Sequence, residues 1–204
     1  MANSLSHHVS TVFDQVARVY DFPLLQRLAY QPIQDVVLAR LRAAGSQRIV
    51  DVGCGTGILS TRIADELAPT AVYGCDMSEG MLAKARARSS AVQWKRTPAE
   101  ALPFDDASID AVISTNAFHF FDQPAAVAEF HRVLAPGGLM MIGVVNPVST
   151  GRRLLLWVGT GGGSVGNFPT PDEMRILATQ AGFSSVTHHT VRGWTGEGLT
   201  VAAK

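Results

Sequence analysis

The stretch IVDVGCGTGILS, residues 49–60, constrains the fold of this chain more than any other. Ile49, Val50 and Val52 form an apolar run around Asp51, and glycines then occupy positions 53, 55 and 57. The run suits a buried strand. Three glycines in such close succession permit positive φ and let a ligand approach the main chain. The residues that follow, 58–67, predict a helix whose N-terminus offers unpaired N–H groups. Strand, glycine turn and helix, in that order, is the layout with which α/β sheets bind nucleotide cofactors.

The rest of the chain repeats this alternation. RIVDV, AVYGC, AVQWK, IDAVIS and LMMIGVV predict five strands, separated by helical stretches near 58–67, 78–88 and 124–134. Asp122 and Pro124 mark a helix start, and Pro136-Gly137-Gly138 a turn before the fifth strand. Residues 10–41 carry near-helical apolar spacing, broken at Pro23 and Pro32 and closed by Gly45. After the fifth strand comes a stretch rich in Gly, Ser and Pro with one apolar knot at 154–158. PDEMRILATQAGF then predicts a helix with a proline start and a glycine stop, and SSVTHHTV and GLTVAA two closing strands.

Strands alternating with helices predict an α/β fold with a doubly wound, mostly parallel sheet. With 204 residues, 47% of them hydrophobic, the chain suits one such domain over 1–204. Within it, 1–44 is expected to be a helical lid and 45–146 the cofactor-binding core. Residues 147–170 are expected to form a flexible cap segment, and 171–204 the closing helix and strands.

Composition excludes several function classes. Lys and Arg number 17 and so do Asp and Glu, so no basic stripe invites nucleic acid. No apolar run approaches the roughly 20 residues that span a bilayer. MANSLSHHVS has neither a basic n-region nor a long apolar core, so no signal peptide is expected. Cys54 and Cys75 read as small buried fillers in a reducing compartment, and a cytoplasmic location is expected. No histidine shows metal-ligand spacing with other ligands, and no metal is expected.

Glycine turns of this kind serve nicotinamide dinucleotides as well as S-adenosylmethionine (SAM). Asp51 lies inside the first strand, and Ile58 stands where the dinucleotide fingerprint wants Gly or Ala. No hydride-transfer site is evident further on. Asp76 closes the second predicted strand at a distance that suits a ribose diol in either class. Its alternative role is the N-cap of the helix that follows.

The stretches VDVGCGTGILS, GCDMSEGMLAKAR, PAEALPFDDASIDAVISTNAFHFF and EFHRVLAPGGLMMI resemble the class I SAM-dependent methyltransferases, in particular the small-molecule group called methyltransferase type 11. FDQVARVYD is also similar to the opening helix of ubiquinone and menaquinone C-methyltransferases. The resemblance implies a Rossmann-like seven-stranded sheet, six strands parallel and the last antiparallel, with helices on both faces. It implies SAM across the C-terminal strand ends, leaving as S-adenosylhomocysteine. Carried over by residue, Gly53, Gly55 and Gly57 cradle the methionine part, and Asp51 orients that loop or reaches the amino group through water. Asp76 holds the ribose hydroxyls, Met77 packs on the adenine face, and Asn116 lies near the methyl donor. One position departs from the family. Its usual wording before AEALPF is Gly-Asp, whose acid accepts the adenine amino hydrogens; here stand Thr97 and Pro98. Adenine recognition then falls to the backbone of Ala99 or Glu100, or to the Glu100 side chain.

Methyl transfer from a sulfonium is an in-line displacement, so the protein must chiefly align donor and acceptor. A base is needed only where the acceptor loses a proton. His119 in NAFHFF and Tyr20 in RVYD are the catalytic candidates, a packing histidine being the alternative for the first. Two acceptor walls are expected. Phe13, Val16, Tyr20 and Phe22 supply one, and residues 147–168 with Leu154 to Trp157 the other. Phe118, Phe120 and Phe121 add aromatic surface near His119. The expected function is a SAM-dependent methyltransferase acting on a small apolar or aromatic acceptor, as a monomer or homodimer. The alternatives are a non-catalytic scaffold or partner subunit of the same fold, and an NAD-dependent oxidoreductase.

Overall fold

The computed structural model describes residues 30–145, 167–191 and 197–204. Helix α1 (Gln31–Ala44) precedes β1 (Arg48–Val52); α2 (Ile58–Leu67) leads to β2 (Ala71–Asp76), and α3 (Glu79–Arg88) to β3 (Gln93–Arg96). Then come β4 (Ile109–Thr115), a 3-10 turn (Phe118–Phe120), α4 (Gln123–Val133), β5 (Leu134–Val145), α5 (Pro171–Gln180), β6 (Ser185–Thr190) and β7 (Glu197–Ala203). The strands form one sheet in the order β3-β2-β1-β4-β5-β7-β6. β7 alone is reversed, pairing antiparallel with β5 on one side and β6 on the other. The seven-stranded sheet that the resemblance implies is therefore present, with helices on its faces.

Strand periodicity sets the layers. In β1, Val50 and Val52 face one core with Val112, Phe130 and Met140, while Ile49 faces the other with Ile63, Ile113 and Met141. Because helices cover both faces, the central strands carry apolar residues at consecutive positions. α1 covers the second face with Ile33, Val37 and Leu41, spaced one turn apart. Gly45, in the left-handed region at φ 65°, ends it, and its N–H bonds to the Arg42 carbonyl. Asp122 caps α4 by accepting from the Ala125 N–H, and Thr170 with Glu173 forms a capping box on α5.

One expectation shifts. The Pro136–Gly138 turn lies inside β5, not before it: Leu134 pairs with Ile109, the register slips, and pairing resumes at Ala111 with Leu139. Gly137 at φ 78° takes up the change. The histidines of β6 point apart, His188 Nδ1 to Thr200 Oγ1 at 3.1 Å and His189 Nε2 to Arg40 at 3.1 Å. Tyr20, Phe13, Val16 and Phe22 lie outside the described residues, as do Leu154 to Trp157. Among the described residues no helix is long and apolar enough to cross a membrane, and no group of three His, Cys, Asp or Glu could hold a metal.

Candidate active site

The strand order reverses between β1 and β4. Connections leave the sheet in opposite directions there and open a crevice beyond the C-terminal strand ends. Around it stand the glycine turn after β1, Asp76 at the end of β2 and Asn116 just past β4.

The turn is pinned by main-chain bonds. The N–H groups of Gly53 and Cys54 both donate to the Cys75 carbonyl, at 2.8 and 3.0 Å. Gly53, Gly55 and Gly57 sit at φ 72°, 55° and 76°, a region costly for other residues. Their missing side chains serve different ends. A Cβ at Gly53 would come within 2.3 Å of Ala117, and one at Gly57 within 2.4 Å of the Trp94 ring. At Gly55 it would meet nothing within 4 Å. Protein therefore fills the space at the outer two glycines, and Gly55 is the one with open space beside it. Trp94 also occupies the space at Gly74, its register partner across β2 and β3. The indole N–H donates to the Ser89 carbonyl at 3.0 Å, and Arg88 Nε to the Thr56 carbonyl at 2.9 Å. α3 and β3 thus support the turn from one side, which sequence reasoning missed. The available signal was a glycine inside a strand, which marks the close approach of another group.

Two carboxylates flank the turn. Asp51 is buried and accepts from the Ser60 hydroxyl at 2.6 Å and from the Ser60 N–H. It thereby serves the first turn of α2, whose N-cap Gly57 has no side chain to offer. Burial pushes its carboxyl up to about 6; the Ser60 hydroxyl opposes that, and the charge of Asp76 adds to it. Asp76 accepts from the Gly55 N–H at 2.9 Å through Oδ2 and from the Ser78 N–H at 2.8 Å through Oδ1. It is not the N-cap of α3: Ser78 is, accepting from the Met81 N–H. Asp76 instead ties the glycine turn to the start of α3. Burial, helped by Asp51, raises the Cys54 thiol well above its usual range and pushes Cys75 up to about 12. Both stay protonated at neutral pH and act as fillers.

The segment after β3 folds back on itself beside Asp76. The Thr97 N–H donates to the Asp76 carbonyl at 3.2 Å, and the Thr97 hydroxyl to the Ala101 carbonyl at 2.7 Å. Ala99 is buried, and Glu100 Oε1 accepts from the Asp122 N–H at 2.8 Å. Met77 is half-buried, its carbonyl accepting from Arg96 Nε at 3.1 Å. Further along, Glu129 accepts from the Leu102 N–H at 2.6 Å, and Arg132 donates to the Leu102 and Phe104 carbonyls. Sequence reasoning also missed this clamp, which joins residues far apart in the chain.

The other side of the crevice is aromatic. Asn116 adopts φ 58°, which asparagine tolerates, and its N–H donates to the Gly143 carbonyl at 2.9 Å. Phe118 does not join the expected acceptor wall: it is fully buried in the core, because the 3-10 turn points it under the sheet's helix layer. Phe120 is 39% exposed. The His119 ring lies 3.9 Å from that of Phe120 and stacks on Phe168 at 4.3 Å and 18°. Its Nδ1 is buried with no hydrogen-bond partner among the described residues. Burial pushes its pKa down to about 4, so the imidazole is neutral at pH 7. Asn167 donates its N–H to the His119 carbonyl at 3.0 Å, and Gln123 Nε2 donates to the Asn167 carbonyl at 2.6 Å. These bonds hold Phe168 against His119.

Residues 50–142 match a family model described as a methyltransferase domain. Over 164 residues the chain is 33% identical to a demethylmenaquinone methyltransferase of Thermus thermophilus, which covers 68% of this chain and 74% of the relative. The chain belongs to the SAM-dependent methyltransferases. This methyltransferase is also 33% identical over 195 residues to a malonyl-acyl-carrier-protein O-methyltransferase of Geobacter sulfurreducens, covering 87% of this chain and 70% of that one. A SAM-dependent methyltransferase structure from Thermotoga maritima superposes with a TM-score of 0.75 at 25% identity, over 95% of this chain and 99% of that one. The two relatives are named for different acceptors at equal identity, so identity alone does not choose the acceptor here.

SAM is the cofactor of this methyltransferase, and the residues present fit it. Open space beside Gly55 admits a ligand to the main chain. Two carboxylates at neighbouring strand ends suit a cationic nucleoside with a ribose diol.

Proposed function

We propose that this methyltransferase acts on a small, largely apolar or aromatic acceptor, which approaches over the end of β4 against His119, Phe120 and Phe168. The observation that carries this reading is the neutral His119, flanked by two aromatic rings and holding a buried ring nitrogen without a partner among the described residues. A charged acceptor would lose its hydration there with little in return. The quinone substrate in the name of the Thermus relative supports the same chemistry.

In this reading SAM brings an activated methyl group, and the protein supplies alignment, which can lower a barrier by roughly 7–11 kcal/mol. Gly53, Gly55 and Gly57 shape the cradle for the methionine part, with Gly55 in closest approach. Asp51 sets the cradle through Ser60, and Asp76 takes the ribose hydroxyls. Met77, Ala99 and Glu100 border the purine, and Asn116 the methyl donor. His119 accepts a hydrogen bond from the acceptor and removes a proton only from an acidic O–H, since its depressed pKa makes it a weak base. Tyr20 is the second proposed catalytic group. The protein works in the cytoplasm as a monomer or homodimer, without nucleic acid.

The test is release of S-adenosylhomocysteine with a panel of phenols, hydroquinones, amines and carboxylates, on wild type and His119→Gln. Turnover with phenols or hydroquinones is expected, with kcat about 10 to 100-fold lower in the variant and the KM for SAM unmoved. Turnover confined to charged carboxylates or amines would overturn the reading.

A further inference from the structure

The turn after β3 bears on how the purine is recognised. The two ends of the cofactor leave its ribose in opposite directions. With the ribose at Asp76 and the methionine end at Gly55, the purine falls on the β3 side of Asp76. Residues 97–100 stand there, tied to Asp76 by the bond from the Thr97 N–H to its carbonyl. This placement rests on the roles proposed above for Gly55 and Asp76.

What that turn offers a purine is narrow. The Thr97 hydroxyl is spent on the Ala101 carbonyl. Glu100 turns its carboxylate to the Asp122 N–H, at the start of α4. The Pro98 carbonyl accepts from the Ala101 N–H, and its ring has neither N–H nor side-chain acceptor. Ala99 adds a buried methyl group. The Thr97 hydroxyl and Glu100 Oε1 are engaged by protein groups, and Pro98 follows directly on the residue whose N–H bonds the Asp76 carbonyl.

We propose that this methyltransferase holds the purine by its apolar faces and by main-chain contacts, and does not recognise the 6-amino group. A site built to hydrogen-bond an N–H rejects an analogue lacking it, because a buried acceptor is left unpaired. Residues 97–100 strand no side-chain acceptor when the amino group is removed, so the penalty that creates discrimination is absent. The chain therefore takes the 6-deaminopurine analogue of SAM nearly as well as SAM itself. Pro98 sets this tolerance.

The experiment is calorimetric titration of SAM and its 6-deaminopurine analogue, without acceptor, into wild type, Pro98→Ala and Pro98→Asp. Thermal melts confirm that each variant is folded. Wild type and Pro98→Ala are expected to bind the two ligands within about threefold of each other, and Pro98→Asp to favour SAM by about tenfold or more, as a new acceptor meets the amino group. A wild-type preference for SAM above about tenfold overturns the proposal. Equal binding in wild type with no response in Pro98→Asp overturns the placement of the purine beside this turn, and with it the role of Pro98.

Discussion

The two sides of the crevice are built differently. The side formed by β1, β2 and the start of α3 is built around main chain: the glycine turn, its bonds to Cys75, and two carboxylates that brace it, Asp76 on the Gly55 N–H and Asp51 on the Ser60 hydroxyl. The side beyond β4 is made of side chains: His119, Phe120 and Phe168, held together by Asn167 and Gln123. A main-chain site demands particular residue types at fixed spacing, because these dihedrals favour glycine and a carboxylate offers two acceptor oxygens. A side-chain site tolerates change so long as shape and polarity persist. On the roles proposed above, the first side serves a constant cofactor and the second an acceptor that differs between relatives.

The largest blow to the main-chain side is expected from Gly57→Ala. It combines a positive φ with a collision against Trp94, and unfolding free energy should fall by about 2–5 kcal/mol in denaturant titration. Trp94→Leu in the same chain should recover part of the loss; if it recovers nothing, the indole is not what requires the glycine.

Asp51→Asn follows. With its pKa raised to about 6 in the fold, Asp51 binds its proton more tightly in the native state than in the unfolded chain. Its contribution is fully present below about pH 4 and is lost as pH rises through 6. His119 runs the other way: its pKa falls to about 4, so its contribution is present above about 6.5 and is lost as pH falls through 4. Melting temperatures taken from pH 4 to 7 should therefore show Asp51→Asn gaining on wild type as pH rises, by on the order of 3 kcal/mol at the plateau. A constant difference across that range would show that burial does not hold the Asp51 proton.

Asp76→Ala should weaken SAM binding by about 30 to 100-fold, the loss of a charged hydrogen-bonding group, and leave the acceptor KM within about twofold. An equal change in both constants would erase the division between the two sides. Ala68→Gly tests the other end of α2, away from the crevice. Ala68 caps that helix at φ 44°, and glycine there should add about 0.5–1 kcal/mol of stability with SAM affinity unmoved.

How much of this was legible in the sequence follows the same division. The sheet was readable because buried parallel strands need unbroken apolar runs such as RIVDV and LMMIGVV, and because Gly45, Asp122 and Pro171 mark helix ends by local chemistry. Gly55 and Asp76 were readable for the same reason. Trp94 beneath the turn, Arg88 on Thr56, and the Glu129 and Arg132 clamp were not, because each joins segments whose proximity only the sheet order creates. Phe118 misled because FHF looks uniformly aromatic, while a 3-10 turn sends its first ring inward and its last outward. Position 98 stood out only against the family's usual wording.

The reversed β7 has a consequence in time. It lies between β5 and β6, so β6 has no neighbour to pair with until the segment after it has been made. The Gly137 N–H bonds to the Lys204 carbonyl, and the Lys204 amine to the carbonyls of His131 and Leu134. A chain emerging from the ribosome can assemble β1 to β5 early, but the edges of β5 and β6 that β7 joins stay unpaired until residues 197–203 have been made. The segment made after β6 is the one that joins β6 to the sheet.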